Sequence, residues 1–373
     1  MILRGPTKEP SGQSICIFSF FLVIPPAMNK ESIVESPAHS LLSQIGQKRR
    51  ILIVCHNNPD PDTIASAAAL RSIFHQSHRR KVTICYGGVI GRAENRQLTR
   101  RLKIDMIPIQ EIDFKDFSVI CMVDTQPSTG NNSIPKDILP HIVIDHHPLK
   151  DNSRKCPIYD VRPKYGSTST IMTEYLRELD LHVDKMLATA LFYGLKTDTN
   201  GLLRSAGKAD LDAFNYLFPK IAPKTLASIE NPRIPRSYYQ KFAEGITSSI
   251  QYGDVIISPM EKLNNPDIAA EMADFLLRME NVHWTLCLGE YKEELVMSVR
   301  TSRKGWWAGR VALKVVRGLG TGGGHEKAAG GRVNLTGLSP EERQELQDKI
   351  IERFLKAVGT HEEKEKRLID SAA

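Results

Sequence analysis

Cysteine pairing, membrane-spanning runs and internal repeats are all missing from this chain of 373 residues. None of its six cysteines (Cys16, Cys55, Cys85, Cys121, Cys156, Cys287) belongs to a CxxC pair, and three lie inside apolar, strand-like runs. A disulfide framework and a structural zinc site are thereby disfavoured. The expected compartment is reducing and cytoplasmic. No repeat of 20–50 residues is visible, which argues against a solenoid or propeller. Aromatics are sparse at 7%, while 41% hydrophobic and 25% charged residues are ordinary for a globular chain. The one ambiguous apolar run, residues 15–24, is too short to span a bilayer as a helix. Pro25-Pro26-Ala27 makes a poor cleavage site behind it, so residues 1–46 are expected to be a disordered tail or a misassigned start, and no stable membrane association is expected. A net charge of +7 suits a polyanionic partner without establishing one.

What is present is alternation. From Arg50 onward, short apolar runs (51–55, 81–86, 118–123, 141–144) alternate with helical patterns (63–74, 168–179, 185–193). This predicts an α/β domain over 47–218, a parallel sheet with helices on both faces. Four prolines between 219 and 235 predict an interdomain linker over 219–236. Strand-like segments near 255–257, 284–288, 295–299 and 331–335 predict a smaller mixed α/β domain over 237–358, across a cleft from the first. Its last helix should start at Ser339, with Pro340 in the first position and Glu342 closing a capping box. Residues 359–373 are expected to form a tail.

Acidic residues and histidines gather at the ends of the first domain's elements. The run 51–55 leads into His56, Asp60 and Asp62; 118–123 into Asp124; 141–144 into Asp145, His146 and His147; and the helical run from 187 into Asp198. One such aspartate is usually a cap or turn former. Four sets at corresponding ends of a parallel sheet, where ligands bind in open α/β folds, point instead to a shared site. Carboxylates mixed with imidazoles suit octahedral Mn²⁺, Mg²⁺ or Co²⁺ better than zinc. Packed without cations, the carboxylates would repel.

These motifs, in this order, resemble the DHH phosphoesterase family, and Gly322-Gly323-Gly324-His325-Glu326-Lys327-Ala328-Ala329-Gly330 resembles the signature of the DHH-associated C-terminal domain. The resemblance runs over roughly 50–357 and is nearest to the two-domain oligoribonuclease (nanoRNase) and 3′-phosphoadenosine 5′-phosphate phosphatase group. It implies two divalent ions, most simply Mn²⁺, activating water against phosphorus. It implies that His56, Asp60 and Asp198 hold one ion, that Asp62 and His146 hold the other, and that Asp124 bridges them. Asp145 is implied to orient His146, and His147 to stand near the phosphate as electrostatic stabiliser or proton donor. Arg300, Gly322, Gly323, Gly324 and His325 are implied to grip the far end of a short oligonucleotide or nucleotide, and a homodimer is compatible with the family. Pro61 and Ala65 stand where members often carry glycine. The loop after Asp124 lacks the arginine many nanoRNases place there.

The expected activity is hydrolysis of short oligonucleotides or 3′-phosphoadenosine 5′-phosphate. Cyclic dinucleotide hydrolysis, single-strand exonuclease action, pyrophosphate or polyphosphate hydrolysis, and a catalytically silent nucleotide sensor are the alternatives. A basic stretch (Arg92, Arg96, Arg100, Arg101, Lys103) reads as a solvated helix face. Trp306 and Trp307 read as packing residues before base-stacking ones.

Overall fold

The computed structural model describes residues 36–46, 50–324, 326–360 and 364–369. The apolar run at 15–24, Cys16 and His325 lie outside the described residues. Two sheets organise the chain. The first contains six strands, β1 (Arg50–Val54), β2 (Lys81–Tyr86), β3 (Ile107–Pro108), β4 (Val119–Val123), β5 (Ile142–Asp145) and β6 (Ile158–Val161), all parallel, in the order β3-β2-β1-β4-β5-β6. The strand order reverses between β1 and β4. Open α/β sheets bind their ligands at such a switch point.

One face of this sheet is covered by α-helices: α1 (Pro37–Ile45), α2 (Pro61–His78), α3 (Ala93–Leu102), α4 (Thr168–Glu178) and α5 (Lys185–Asp198), with α6 (Lys208–Leu217) and α7 (Pro223–Glu230) outside them. Helix α2 lies deepest. Residues 61–70 are buried without a break, and Ala65, Ala67, Ala68 and Ala69 let it approach both the sheet and α5. Single-turn 3-10 helices and loops cover the opposite face, packing Ile109, Ile112, Phe114 and Ile134 on Leu52, Val54, Ile120 and Met122. Both faces are therefore closed, as the apolar strands require, but the second face is closed with shorter elements than the helices expected there.

Three segments differ from expectation. Within the anticipated N-terminal tail, α1 buries Ala38, Leu41 and Ile45, a stripe spaced three and four residues apart that packs beside α4 and β6. Within the anticipated linker, Pro223 opens α7, which buries Leu226 and Ile229 in the first core. Within the anticipated C-terminal tail, β13 (Glu365–Arg367) pairs with β7 (Ile250–Tyr252).

After α8 (Arg236–Thr247) comes the second sheet: β7, β8 (Val255–Lys262), β9 (Trp284–Tyr291), β10 (Glu294–Thr301), β11 (Gly320–Gly324), β12 (Ala328–Asn334) and β13, in the order β11-β12-β10-β9-β8-β7-β13. The β8–β9 pair is parallel and the others antiparallel, so the sheet is mixed. Helices α9 (Asp267–Leu276), α10 (Ala308–Val316) and α11 (Pro340–Val358) cover it. Helix α11 begins with the Ser339–Glu342 capping box and ends on Gly359 at φ 83°. Among the described residues no helix is long and apolar enough to cross a membrane, and all five described cysteines are free and buried.

Candidate metal centre

The ends of β1, β4 and β5 and the facing ends of three helices build one cluster. After β1, Asp60 serves as N-cap of α2, accepting from Thr63 N at 3.0 Å, with Pro61 in the first helical position. This places Asp62 in the buried first turn. Both Asp62 oxygens accept backbone N–H groups from the start of α4, Thr168 N at 2.7 Å and Ser169 N at 2.8 Å. Helix α5 arrives with Gly194 against α2. A Cβ there would stand 3.0 Å from Asp62 Cα and 3.1 Å from Pro61 O. That close approach, one turn before Asp198, brings the Asp198 carboxylate to 3.1 Å from His146 Nε2.

Asp124 stands at the centre, 2% exposed, with a left-handed backbone (φ 57°) immediately after β4. Its Oδ2 lies 3.5 Å from His56 Nε2, and its Oδ1 lies 3.5 Å from His146 Nε2 and 3.8 Å from His147 Nδ1. Thr63 Oγ1 donates to Oδ2, and Thr168 Oγ1 donates to Oδ1 at 2.9 Å. The cluster holds three overlapping groups able to take a cation: His56, Asp60 and Asp124; Asp62, His146 and Asp198; and Asp124, Asp145, His146 and His147, with Asp124 also within 3.5 Å of His146.

Two implied roles need correction. Asp198 stands with Asp62 and His146, not with His56 and Asp60, because α5 is seated against the first turn of α2. Asp145 does not hold the His146 ring. Its Oδ1 accepts from the backbone N–H of His146 at 2.8 Å and that of His147 at 3.2 Å, and lies 2.8 Å from His147 Nδ1. Tyr165 O, 3.2 Å from Nδ1, orients the His146 ring instead.

A carbonyl can only accept, so that contact puts the hydrogen on His146 Nδ1 and leaves Nε2 to face the carboxylates. His146 Nε2 is buried and makes no hydrogen bond of acceptable geometry. The His56 ring is set in the same way, with Nδ1 2.9 Å from Asn57 O and Nε2 3.6 Å from Asp60 Oδ1. Two imidazole nitrogens aimed at several carboxylate oxygens form a set of mutual acceptors. Only protons or cations satisfy such a set, and its oxygen and imidazole donors fit Mn²⁺ or Mg²⁺.

The electrostatics agree. Burial together with Asp124 and Asp198 pushes Asp62 well up, and burial together with Asp60 and Asp124 raises Asp198. Burial works against a charged His146, yet Asp198, Asp124 and Asp62 outweigh it and push the imidazole up to about 11. His56 is raised in the same sense by Asp60 and Asp124. Asp60 and Asp145 move the other way. Burial disfavours their charge, but His56 holds Asp60, and His147 holds Asp145, below the usual carboxylate range.

Sequence reasoning missed the groups that support these ligands. Gln126 is fully buried. Its Nε2 donates to Asp145 Oδ2 at 2.6 Å, while its Oε1 accepts from Lys150 N and Ser153 Oγ, each at 2.8 Å. The loop that lacks the expected arginine is thus devoted to holding Asp145. The signal for Thr168 was available as the Ser-Thr-Ser-Thr run at 167–170, whose first residue caps α4.

Among the described residues, none of the second sheet's candidates belongs to these ligand groups. Gly322, Gly323 and Gly324, implied to grip the substrate, lie in the edge strand Gly320–Gly324, paired with β12. A Cβ on Gly322 would stand 2.9 Å from Val316, and one on Gly309 would collide with Gly324 O, so glycine here lets β11 and α10 pack together. A Cβ on Gly323 would meet nothing within 4 Å. Arg300, in β10, donates through Nε to Asp274 at 2.5 Å and through Nη1 to Ser298 at 2.7 Å. Asp274 also meets Arg92 Nη2 at 3.2 Å, and Gly91 O accepts from Asn265. Arg92, read as part of a solvated face, therefore ties the first sheet's helices to α9. Although burial opposes its charge, Asp274, Glu271 and Asp267 raise its pKa.

Residues 50–195 match the DHH family, N-terminal domain, and residues 253–357 match the DHHA1 domain. The chain carries both domains. MJ1633, an uncharacterized protein of Methanocaldococcus jannaschii, is 35% identical over 327 residues, spanning 85% of this chain and 66% of that protein. The cyclic-di-AMP phosphodiesterase GdpP of Bacillus subtilis is 24% identical over 335 residues, 85% of this chain and 50% of the relative. The chain thus spans about two thirds and one half of these relatives' lengths. An exopolyphosphatase-related protein from Bacteroides fragilis, seen in a crystal structure, shares the fold with a TM-score of 0.66 at 18% identity, over 88% of this chain and 99% of its own. The metal cluster lies at the strand ends of the DHH domain and on its Asp198-bearing helix, while Arg300 and the glycine-rich strand belong to the DHHA1 domain.

Proposed function

We propose that this chain is a divalent-metal-dependent phosphodiesterase that releases mononucleotides from short oligonucleotides or phosphate from a nucleotide bisphosphate. The observation that carries this reading is the pair of ligand groups meeting at Asp124. His56 and Asp60 would hold one ion, Asp62, His146 and Asp198 a second, and Asp124 would touch both, with Mn²⁺ the best match to the donors. Such ions, when bound, supply a nucleophile at neutral pH and offset charge on the phosphoryl oxygens. The chain's own residues do the rest. Thr63 and Thr168 fix the Asp124 carboxylate, and Tyr165 and Asn57 fix the imidazoles. His147, held by Asp145, presents a proton or a positive charge toward the leaving oxygen. In the DHHA1 domain, Arg300, His325 and the open side of Gly323 would receive the distal part of the substrate, setting its length.

A cyclic dinucleotide is the second reading, because the likeness to GdpP extends over both domains rather than over the metal-binding half alone. One panel tests both. Purified protein with Mn²⁺ is offered linear diadenylate, cyclic di-adenylate, 3′-phosphoadenosine 5′-phosphate, a 24-mer and pyrophosphate. Fastest release from the linear dinucleotide or the bisphosphate is expected. Preference for the cyclic substrate moves the assignment to the second reading, and no turnover of any member overturns both in favour of a nucleotide sensor.

A further inference from the structure

A cavity of about 360 Å³ opens on the helical side of the first sheet, walled by α2, β2, the end of α3 and the start of α5. Its walls join two kinds of surface. Val82, Leu102 and Leu187 supply an apolar side, while Arg71, His75 and Arg80 bring basic groups to the same space. Among the described residues Arg71 makes no hydrogen bond or ion pair, and Asp105 attracts it without pairing with it. Burial lowers its pKa, the mark of a cation that has lost water without gaining a partner.

Arg80 is similar. One terminal nitrogen donates to Gly46 O at 2.6 Å, but among the described residues its buried Nε has no hydrogen-bond partner. The carboxylate on the cavity wall, Asp184, is engaged through Oδ1 and, among the described residues, forms no ion pair with either arginine. As N-cap of α5 it accepts from Met186 N and Leu187 N, each at 2.8 Å. A buried N–H left without an acceptor is costly, and an ordinary protein interior supplies one.

We propose that this cavity is a binding site for a small aromatic oxyanion of mononucleotide size, with its ring on Val82, Leu102 and Leu187 and its anionic group on Arg71 and Arg80. The volume falls at the lower end of the range for small-molecule sites, and an apolar wall carrying a few convergent polar groups is their usual make-up. The site is separate from the candidate metal centre. Asp62 and Arg71 stand nine positions apart along α2, about 14 Å of helix, and none of the metal-cluster residues lines the cavity. Yet α2 and α5 each carry a metal-cluster carboxylate at one end and a cavity wall at the other.

The test uses the full chain with Mn²⁺ and the probe 8-anilinonaphthalene-1-sulfonate, an aromatic anion whose fluorescence rises on binding, with adenosine 5′-monophosphate and adenosine as competitors. Stoichiometric probe binding is expected, displaced by the monophosphate and at least tenfold less well by the uncharged nucleoside. R71M should weaken probe binding roughly tenfold or more, and R71K should restore most of it. Amide hydrogen exchange of the wild-type chain gives a readout free of variants, since adenosine 5′-monophosphate should slow exchange at residues 184–190. Equal displacement by adenosine, unchanged binding in R71M and R80M, or unaltered exchange at 184–190 would each overturn the proposal.

Discussion

The two domains treat their charges in opposite ways. In the DHHA1 domain several arginines are paired within the domain: Arg300 with Asp274, Arg303 with Asp254 at 2.7 Å, Arg332 with Glu294 at 2.9 Å, and Arg343 with Glu290 and Glu293 at 3.1 and 2.8 Å. In the DHH domain five carboxylates and three imidazoles converge with no arginine or lysine among them. Ion pairs that close on themselves hold structure and leave little for a ligand. A set of acceptors facing one another is incomplete until something positive arrives. The residues that could hold a cation therefore gather in the first domain, while Arg300 in the second is engaged by Asp274.

The sharpest way to break this contrast is D124N. Asparagine keeps the shape and tolerates the left-handed backbone, so the fold should persist, while Mn²⁺-dependent hydrolysis of every substrate should fall by about a thousandfold, ~4 kcal/mol of barrier. Wild-type turnover in this variant would end the metal-centre reading.

Metal removal comes next. Saturating Mn²⁺ at a thousandfold excess over its Kd should stabilise the chain by about 4 kcal/mol, read as a fall in Tm on adding EDTA. An unchanged Tm would mean that the centre is not preformed.

The stripped protein should also respond to pH. Groups with raised pKa in the folded state stabilise it when protonated. His146, lifted from its ordinary 6.5 to about 11, contributes fully below pH 6.5 and loses that contribution as pH climbs toward 11. Asp60 and Asp145, held low, are ionised throughout this window and add no slope. Tm in EDTA should thus decline from pH 7 to 9. With Mn²⁺, which competes with those protons, the decline should be smaller. A flat EDTA profile would show that the imidazole is not held protonated.

G194V is expected to act more gently, by prising α5 from α2 at a cost of ~1–3 kcal/mol. Mn²⁺ affinity should drop more than Tm, because Asp198 moves with the helix. On the DHHA1 side, D274N should have the smallest effect. It frees Arg300, so KM for a dinucleotide should fall a few-fold with kcat unchanged, as measured by steady-state kinetics. A rise in KM would mean that the Asp274 pairing holds the domains together more than it competes with substrate.

Much of this was legible in the sequence, and the limits have physical causes. The strand ends bearing His56, Asp60, Asp124 and Asp145 could be read because a parallel sheet fixes where its carboxyl ends gather, and Asp198 could be read as the end of a helical run. The capping box at Ser339 could be read because every group in it is local. Which carboxylate faces which imidazole could not, since that depends on how closely α5 approaches α2, and Gly194, which allows the approach, is one glycine in a helical pattern. The hydroxyls of Thr63 and Thr168 were hidden for the same reason: their partner, Asp124, is 61 and 44 residues away. The strand over Gly320–Gly324 was not legible, because glycine disfavours strands by itself and here permits the contact of β11 with α10.

The backbone at residue 124 has a consequence for descent. A left-handed conformation is one that asparagine and glycine adopt readily, and both are reached from aspartate by a single base change. The carboxylate at 124 can therefore be lost without straining the backbone, although glycine would also leave the buried Thr63 and Thr168 hydroxyls without their acceptor. Lineages of this architecture can drift from catalysts to silent receptors without passing through an unfolded ancestor, and the identity of residue 124 is the first thing to inspect in any descendant.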